Sequence, residues 1–194
     1  ISRIQVSGDA LGEFVPENNN SKIDTTIFYG ADYLDYHIDI EKTFLIDGAY
    51  VEYQNTKLSA GEIIVDWQTN ILNAVRVDQD YPIVMTQGEV PMKGKSMVFD
   101  LISKHGQIDQ GRTSFKDSFF QGEEVFRDDP NVFHLEKSKY TSCELDQPHF
   151  YLASRKMKML PGSKVIAKPL WLHIYDVPII GIPLATFPHD TRAR

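Results

Sequence analysis

A single cysteine in 194 residues excludes an internal disulfide framework and any zinc site built on paired thiolates. Alanine is scarce as well: nine residues, against 41 valines, isoleucines and threonines together. Branched side chains suit a pleated surface and alanine suits a helix, so this shortage argues for strands. Basic residues are outnumbered, 20 to 27, and the net charge is −7. A nucleic-acid surface needs clustered Lys and Arg, so that class is set aside. No apolar run reaches the roughly 20 residues of a membrane-spanning helix. No signal peptide is found either. The chain opens on ISRIQVSGDA and closes on TRAR, so it reads as a piece of a longer protein, and no targeting signal gives its localisation.

What is present is periodic. Gly30, Gly61, Gly94, Gly122 and Ala153 follow one another at steps of 31, 33, 28 and 31 residues. Each stands before a short strand-like run and is read as opening it. A period in this range marks an architecture in which each unit buries its apolar face by stacking on its neighbours. The charge is uneven along the chain. Residues 1–150 carry 13 basic and 25 acidic groups, whereas residues 151–194 carry seven and two. The two ends are therefore expected to face different surroundings.

Residues 1–24, with PENNNSK at their centre, read as a flexible or linker-like lead-in. From Thr25 onward strand signals recur about every ten residues, separated by turn candidates at IDGA, YQNT, KHGQ, RDDPN and LPGSK. Such a chain is all-β. One stretch competes. Ala60, Ile63, Ile64, Trp67, Ile71 and Val75 fall at helical spacing. The branched run at 63–65 and the turn-prone Thr69-Asn70 favour strand–turn–strand instead. Alternation places Phe44 with Ile46 on one face, opposite Thr43 and Asp47. It likewise groups Ala49, Val51 and Tyr53, and groups Ile63, Val65 and Trp67, on covered faces.

Catalytic patterns fail on spacing. GEVPMKGKS separates Gly88 from Gly94 by five residues where a phosphate loop needs four, and it runs into a strand rather than a helix. The six histidines are dispersed, and no G-x-S-x-G elbow occurs. No metal ligand set, no cofactor and no enzyme activity is read from the sequence.

The segment from Lys139 to Pro188 carries a resemblance. It holds Thr141-x-Cys143, Pro148 to Tyr151, Ala153, Gly162, Val177-Pro178, Pro183 and Phe187-Pro188 in one order. In this it resembles the end of the periplasmic domain of the LptD family of outer-membrane lipopolysaccharide-assembly proteins. The stretch GADYLDYHIDIEKTFLIDGAYVEYQNTKLSAGEIIVDW is similar to the OstA-like repeat shared by LptA and LptD. The resemblance covers roughly residues 25–194 and is weakest over 104–130. It implies an all-β incomplete (open) β-jelly roll, two facing sheets with an apolar groove, over residues 25–188. Residues 189–194, with Arg192, would begin the connection to a transmembrane β-barrel.

A function is implied with the fold. Such a domain would shelter lipid A acyl chains at the periplasmic face of the outer membrane and pass lipopolysaccharide to that barrel. The implied partners are an LptA-like bridge protein that adds a strand at an open edge, the protein's own barrel, and an LptE-like lipoprotein. Cys143 would pair with a cysteine of the barrel. The residues expected to line the groove are Leu34, Tyr36, Phe44, Ile46, Val51, Tyr53, Ile63, Val65, Trp67, Phe99 and Leu101. Arg155, Lys156, Lys158, Lys164 and Lys168 are expected to meet lipid phosphates or anionic headgroups. The run VPIIGIPLATFP, apolar and interrupted by proline, is expected at the barrel rim or the membrane interface. The alternative is a closed-core structural or carbohydrate-binding β-repeat domain without lipid, which would co-purify with none.

Overall fold

The structure, a computed structural model, describes residues 2–15, 25–54, 56–75, 83–87, 90–115, 118–129, 132–145, 147–160 and 163–188. Among these residues every regular element is a strand. The chain divides into two compact units, Ile1–Lys104 and His105–Arg194.

The first unit holds β1 (Arg3–Phe14), β2 (Ile27–His37), β3 (Lys42–Tyr53), β4 (Thr56–Asp66), β5 (Ile71–Val75), β6 (Ile83–Gln87), β7 (Val90–Gly94) and β8 (Ser96–Asp100). Strands β1 to β5 pair in sequence, antiparallel, and β8 follows β5. Residues 56–59 of β4 pair instead with β6, which pairs with β7. The expectation of a linker-like lead-in does not hold for Arg3–Phe14. That stretch is an edge strand, and its Ile4-x-Val6 alternation was the signal for it.

The strands are long and bend in mid-course. Register breaks between Ser7 and Ala10 on β1, between Gly30 and Tyr33 on β2, and between Ile46 and Ala49 on β3. Small residues line the bends: Ala10 lies opposite Ala31 and Ala49 opposite Ala60, all four buried. A Cβ on Gly30 would come within 2.8 Å of the Tyr50 ring and 2.9 Å of the Ala10 carbonyl oxygen. The thirty-residue recurrence of small residues therefore marks bends rather than strand openings. Gly30, Gly61, Gly122 and Ala153 all stand inside strands, and Gly94 closes one. The IDGA turn candidate is corrected in the same way. Asp47 and Gly48, at φ 57° and 59°, form a bulge within β3.

Bending lays the second half of each strand over the first. Phe14, at the far end of β1, stacks on Trp67 at 4.5 Å between centroids, and Tyr29 approaches the same indole at 5.9 Å. Lys104 reaches across to Gln54 Oε1 at 3.1 Å and lies over the Tyr53 ring. The unit is thus two facing layers made from one set of strands.

The contested stretch 60–76 is strand, turn and strand. Asp66 Oδ1 accepts the N–H groups of Gln68 and Thr69 at 3.1 and 3.0 Å, and Asn70 takes φ 59°. These backbone donors and the Lys42 ammonium hold the Asp66 carboxyl below its ordinary pKa. Asp100 repeats the device with Ile102 and Ser103, ending at Lys104 with φ 61°. The turns are also stitched together. Ile38 N–H donates to Ser2 O, Trp67 N–H to Glu41 O and Leu101 N–H to Asn70 O, each at 3.0 Å.

The second unit holds β9 (Gly106–Phe115), β10 (Ser118–Asp129), β11 (Val132–Thr141), β12 (Phe150–Leu160), β13 (Lys164–Ile174), β14 (Val177–Ile182) and β15 (Ala185–Pro188). Strands β9 to β13 pair in sequence; β14 and β15 divide the outer edge of β13 between them. The stretch 104–130, least like the family, supplies β9 and β10. Bends recur here, with Gln110 at φ 50° and Lys137 at φ 45°. Gly111, Gly122, Ser138 and Ser154 form the small-residue seam, all buried. Because serine is polar, the seam is hydrogen-bonded. Ser138 Oγ donates to Ser154 O at 3.2 Å, and Ser154 Oγ accepts Lys168 N–H at 3.1 Å. The layers face each other here too, with Tyr140 packed on Phe187 at 5.5 Å.

Candidate functional site

Antiparallel register turns alternation into rows that cross the sheet. In the first unit one inner row runs Ile4, Tyr36, Thr43, Val65, Leu72, Phe99. The next runs Val6, Leu34, Leu45, Ile63, Ala74, Met97. Both rows are buried in the middle of the sheet. They come to the surface on the edge strand β1, where Ile4 is 52% exposed and Val6 43%.

Of the eleven residues expected to line a groove, Leu34, Val51, Tyr53, Ile63, Val65, Phe99 and Leu101 are buried and face inward. Tyr36 is half-buried and shares the inner row of Ile4. Trp67 is half-buried between the layers, its Nε1–H donating to Thr43 Oγ1 at 2.8 Å. Phe44 and Ile46 belong to the opposite face. Phe44 lies in register with Asp35 and Ile64, and its ring packs beside His37 at 5.1 Å. The face assignment drawn from alternation is corrected for these two. Thr43 and Leu45 are the inward pair, and Thr43 is tolerated inside because Trp67 satisfies its hydroxyl.

The outer face mixes charged groups with apolar side chains such as Phe44, Ile46 and Ile64. Asp35 receives Gln5 at 3.0 Å and lies 3.3 Å from His37 Nε2 and 3.6 Å from Arg3. Burial raises its pKa, but the hydrogen bonds from Gln5 and His37 and the charges of His37 and Arg3 outweigh that and hold it low. Lys42 pairs with Asp66 at 3.1 Å. Charged groups thus interrupt the apolar surface on the outer side of these strands, and none stands in the two inner rows.

In the second unit the inner faces carry Phe120, Val125, Leu135, Met157, Met159 and Val165, all buried. Apolar side chains missed by groove reasoning surround the last strands. Every residue of β14 is exposed, and Phe150, Trp171, Ile174, Tyr175 and Leu184 join it. The Pro-interrupted apolar run announced them. Arg155, Lys156, Lys164 and Lys168 are exposed and Lys158 half-buried.

Cys143 sits just past β11, half-buried and free among the described residues. Thr141 explains the Thr-x-Cys spacing. Its Oγ1 donates to Phe150 O at 2.7 Å and accepts Cys143 N–H at 3.0 Å, fixing the segment on β12. The thiol Sγ lies 4.0 Å from His149 Nδ1. Gly162, His189 and Arg192 lie outside the described residues. No group of three His, Cys, Asp or Glu stands close enough to hold a metal ion among the described residues.

Tyr151 gives a pH handle on this end. Burial, then the hydrogen bond to Asp176 Oδ1 at 2.7 Å and the charge of that carboxylate, push the phenol up to about 12. A phenol raised in the fold contributes stability that is complete below its unfolded value, near 10, and is lost as pH rises through about 12. Tyr151→Phe is expected to remove one late-titrating tyrosine from the absorbance titration and to flatten the loss of stability in that window. A titration identical to that of the parent chain would show that Asp176 does not hold the phenol.

No family model matches the chain. Curated relatives do. The LPS-assembly protein LptD of Acinetobacter baylyi is 24% identical over 169 residues, covering 78% of this chain and 20% of that protein. LptD of Nitrosospira multiformis is 27% identical over 114 residues, covering 57% and 12%. LptD of Acinetobacter baumannii is 22% identical over 171 residues, covering 80% and 21%. The chain spans about a fifth of the length of these relatives or less. Among solved structures, LptH of Pseudomonas aeruginosa, an LptA homologous periplasmic component of a lipopolysaccharide transport device, aligns with a TM-score of 0.45. The identity is 16%, over 53% of this chain and 75% of that one. Matched along most of its length to LptD proteins, this all-β chain resembles an OstA-like domain of the LptD family.

Proposed function

We propose that the chain is a periplasmic module of lipopolysaccharide transport, which shelters acyl chains between its facing layers on their way to the outer membrane. The observation that carries this reading is the pair of inner apolar rows that run from the packed middle of the first unit to exposed Ile4 and Val6 on the edge strand. Each methylene taken out of water is worth about 0.8 kcal/mol, so a lipid with several chains follows a continuous apolar surface and does not cross water alone. The charged groups of the outer face leave sugars in water. Because the middle is filled by side chains, acyl chains enter where the layers part at the edge.

The free edge of β1 also suits strand addition by an LptA-like bridge, since its unpaired backbone groups template another strand. Continuation into a barrel, an LptE-like lipoprotein and a Cys143 disulfide to that barrel belong to the same reading. A second reading, a closed core without lipid, is favoured by one observation: Leu45, Ile63 and Ile27 have no exposed surface.

Site-specific photocrosslinking in cells separates the two. With the crosslinker at Val6 or Tyr36, a lipopolysaccharide adduct is expected. At Phe44 or Ile46, on the outer face, none is expected. Adducts at all four positions, or at none, would count against inner-face carriage.

A further inference from the structure

The outer face of the second unit holds an arrangement that its fold does not need. Lys156 and Lys168 are directly opposite each other on β12 and β13, and Lys158, opposite Ile166, is diagonal to Lys168 on the same face. Like charges placed opposite on neighbouring strands destabilise a sheet. Lys156 has one distant acidic neighbour, Glu136 Oε1 at 3.9 Å. Among the described residues no ion pair engages Lys158 or Lys168. The three lysines rim, together with Glu136 and His134, a cavity of about 260 Å³ whose floor includes Ile166 and Leu184. Leu184, 60% exposed, extends this floor into the exposed apolar strand β14 through Ile182, 47% exposed. Cationic rim and apolar floor together match an anionic headgroup with hydrocarbon beneath it.

We propose that this face docks on the surface of an anionic phospholipid bilayer, with Lys156, Lys158 and Lys168 on headgroup phosphates and Leu184 and Ile182 in the acyl boundary. The occupant follows from charge. The chain as a whole, at −7, is repelled by an anionic surface, so attachment has to come from a local excess, and residues 151–194 carry it. The docking does not rest on lipid carriage between the layers; crosslinking inside can fail while docking holds, and the reverse.

The test is flotation of the 194-residue chain with phosphatidylethanolamine vesicles, with and without phosphatidylglycerol. Binding is expected only with phosphatidylglycerol and is expected to weaken as salt rises. Each lysine-to-glutamine change is expected to lower affinity about fivefold, so Lys158→Gln with Lys168→Gln lowers it roughly 25-fold. The Lys158→Arg, Lys168→Arg pair retains binding, Leu184→Ser weakens it severalfold, and Lys57→Gln in the first unit leaves it unchanged. Equal binding to both vesicles, undiminished binding by the double glutamine variant, or no binding at all would overturn the proposal.

Discussion

Ile63→Ala is expected to lower the unfolding free energy of the Ile1–Lys104 unit by about 2–5 kcal/mol, the range for truncating a buried isoleucine whose surroundings relax only in part. Ile63 has no exposed surface and sits in an inner row between Leu45 and Ala74. The measurement is helped by the placement of the two tryptophans, Trp67 in the first unit and Trp171 in the second. In a Trp171→Phe background, Trp67 fluorescence through a denaturant titration reports the first unit. The expected result is a lower midpoint with unchanged slope. A shift below about 0.5 kcal/mol, typical of surface changes, would mean that the middle of the sheet is loosely filled, contrary to its burial. It would also move the balance toward an interior that stands open along its whole length.

Gly111→Val is the second large effect. A Cβ at Gly111 would fall 2.5 Å from Val125 Cγ2, at the bend where β9 and β10 cross from one layer to the other. Overpacking of this kind costs about 1–3 kcal/mol, more where the backbone has to shift. Amide hydrogen exchange is expected to quicken along β9, β10 and β11, while β2 and β3 keep their rates. Val125→Ala is itself destabilising because Val125 is buried. Combined with Gly111→Val it is expected to cost less than the sum of the two, since it removes the methyl in conflict. Strict additivity would mean that glycine is there for backbone reasons and not for space.

Most of the architecture was legible because branched residues, alternation and turn chemistry agreed. The disagreements have local causes. Phe44-Leu45-Ile46 is apolar at three successive positions, so alternation alone left the choice of face open; the decision came from Trp67, 24 residues away, donating to Thr43. Asp47-Gly48 has the chemistry of a hairpin turn and was spent on a bulge, since either needs φ above zero. The true end of β2, at His37, carries no glycine, proline or asparagine, and Glu41 takes φ 50° there unannounced. Which apolar residues of the first unit face inward was largely readable from alternation. The exposed lysines opposite one another were visible as a basic segment, but their convergence depends on the register of β12 against β13, which no single segment encodes.

The stitched turns of the first unit carry a consequence for the length of such domains. Donors at Ile38, Trp67 and Leu101 recur at 29 and 34 residues; Ile38 bonds to the Ser2 carbonyl just before β1, and the other two bond to a carbonyl within the preceding turn. Every rung therefore presents the acceptor that the following rung requires. A duplicated segment of about thirty residues, spliced in frame between two rungs, would inherit both connections, so such a scaffold can lengthen or shorten by whole segments without redesign of its ends.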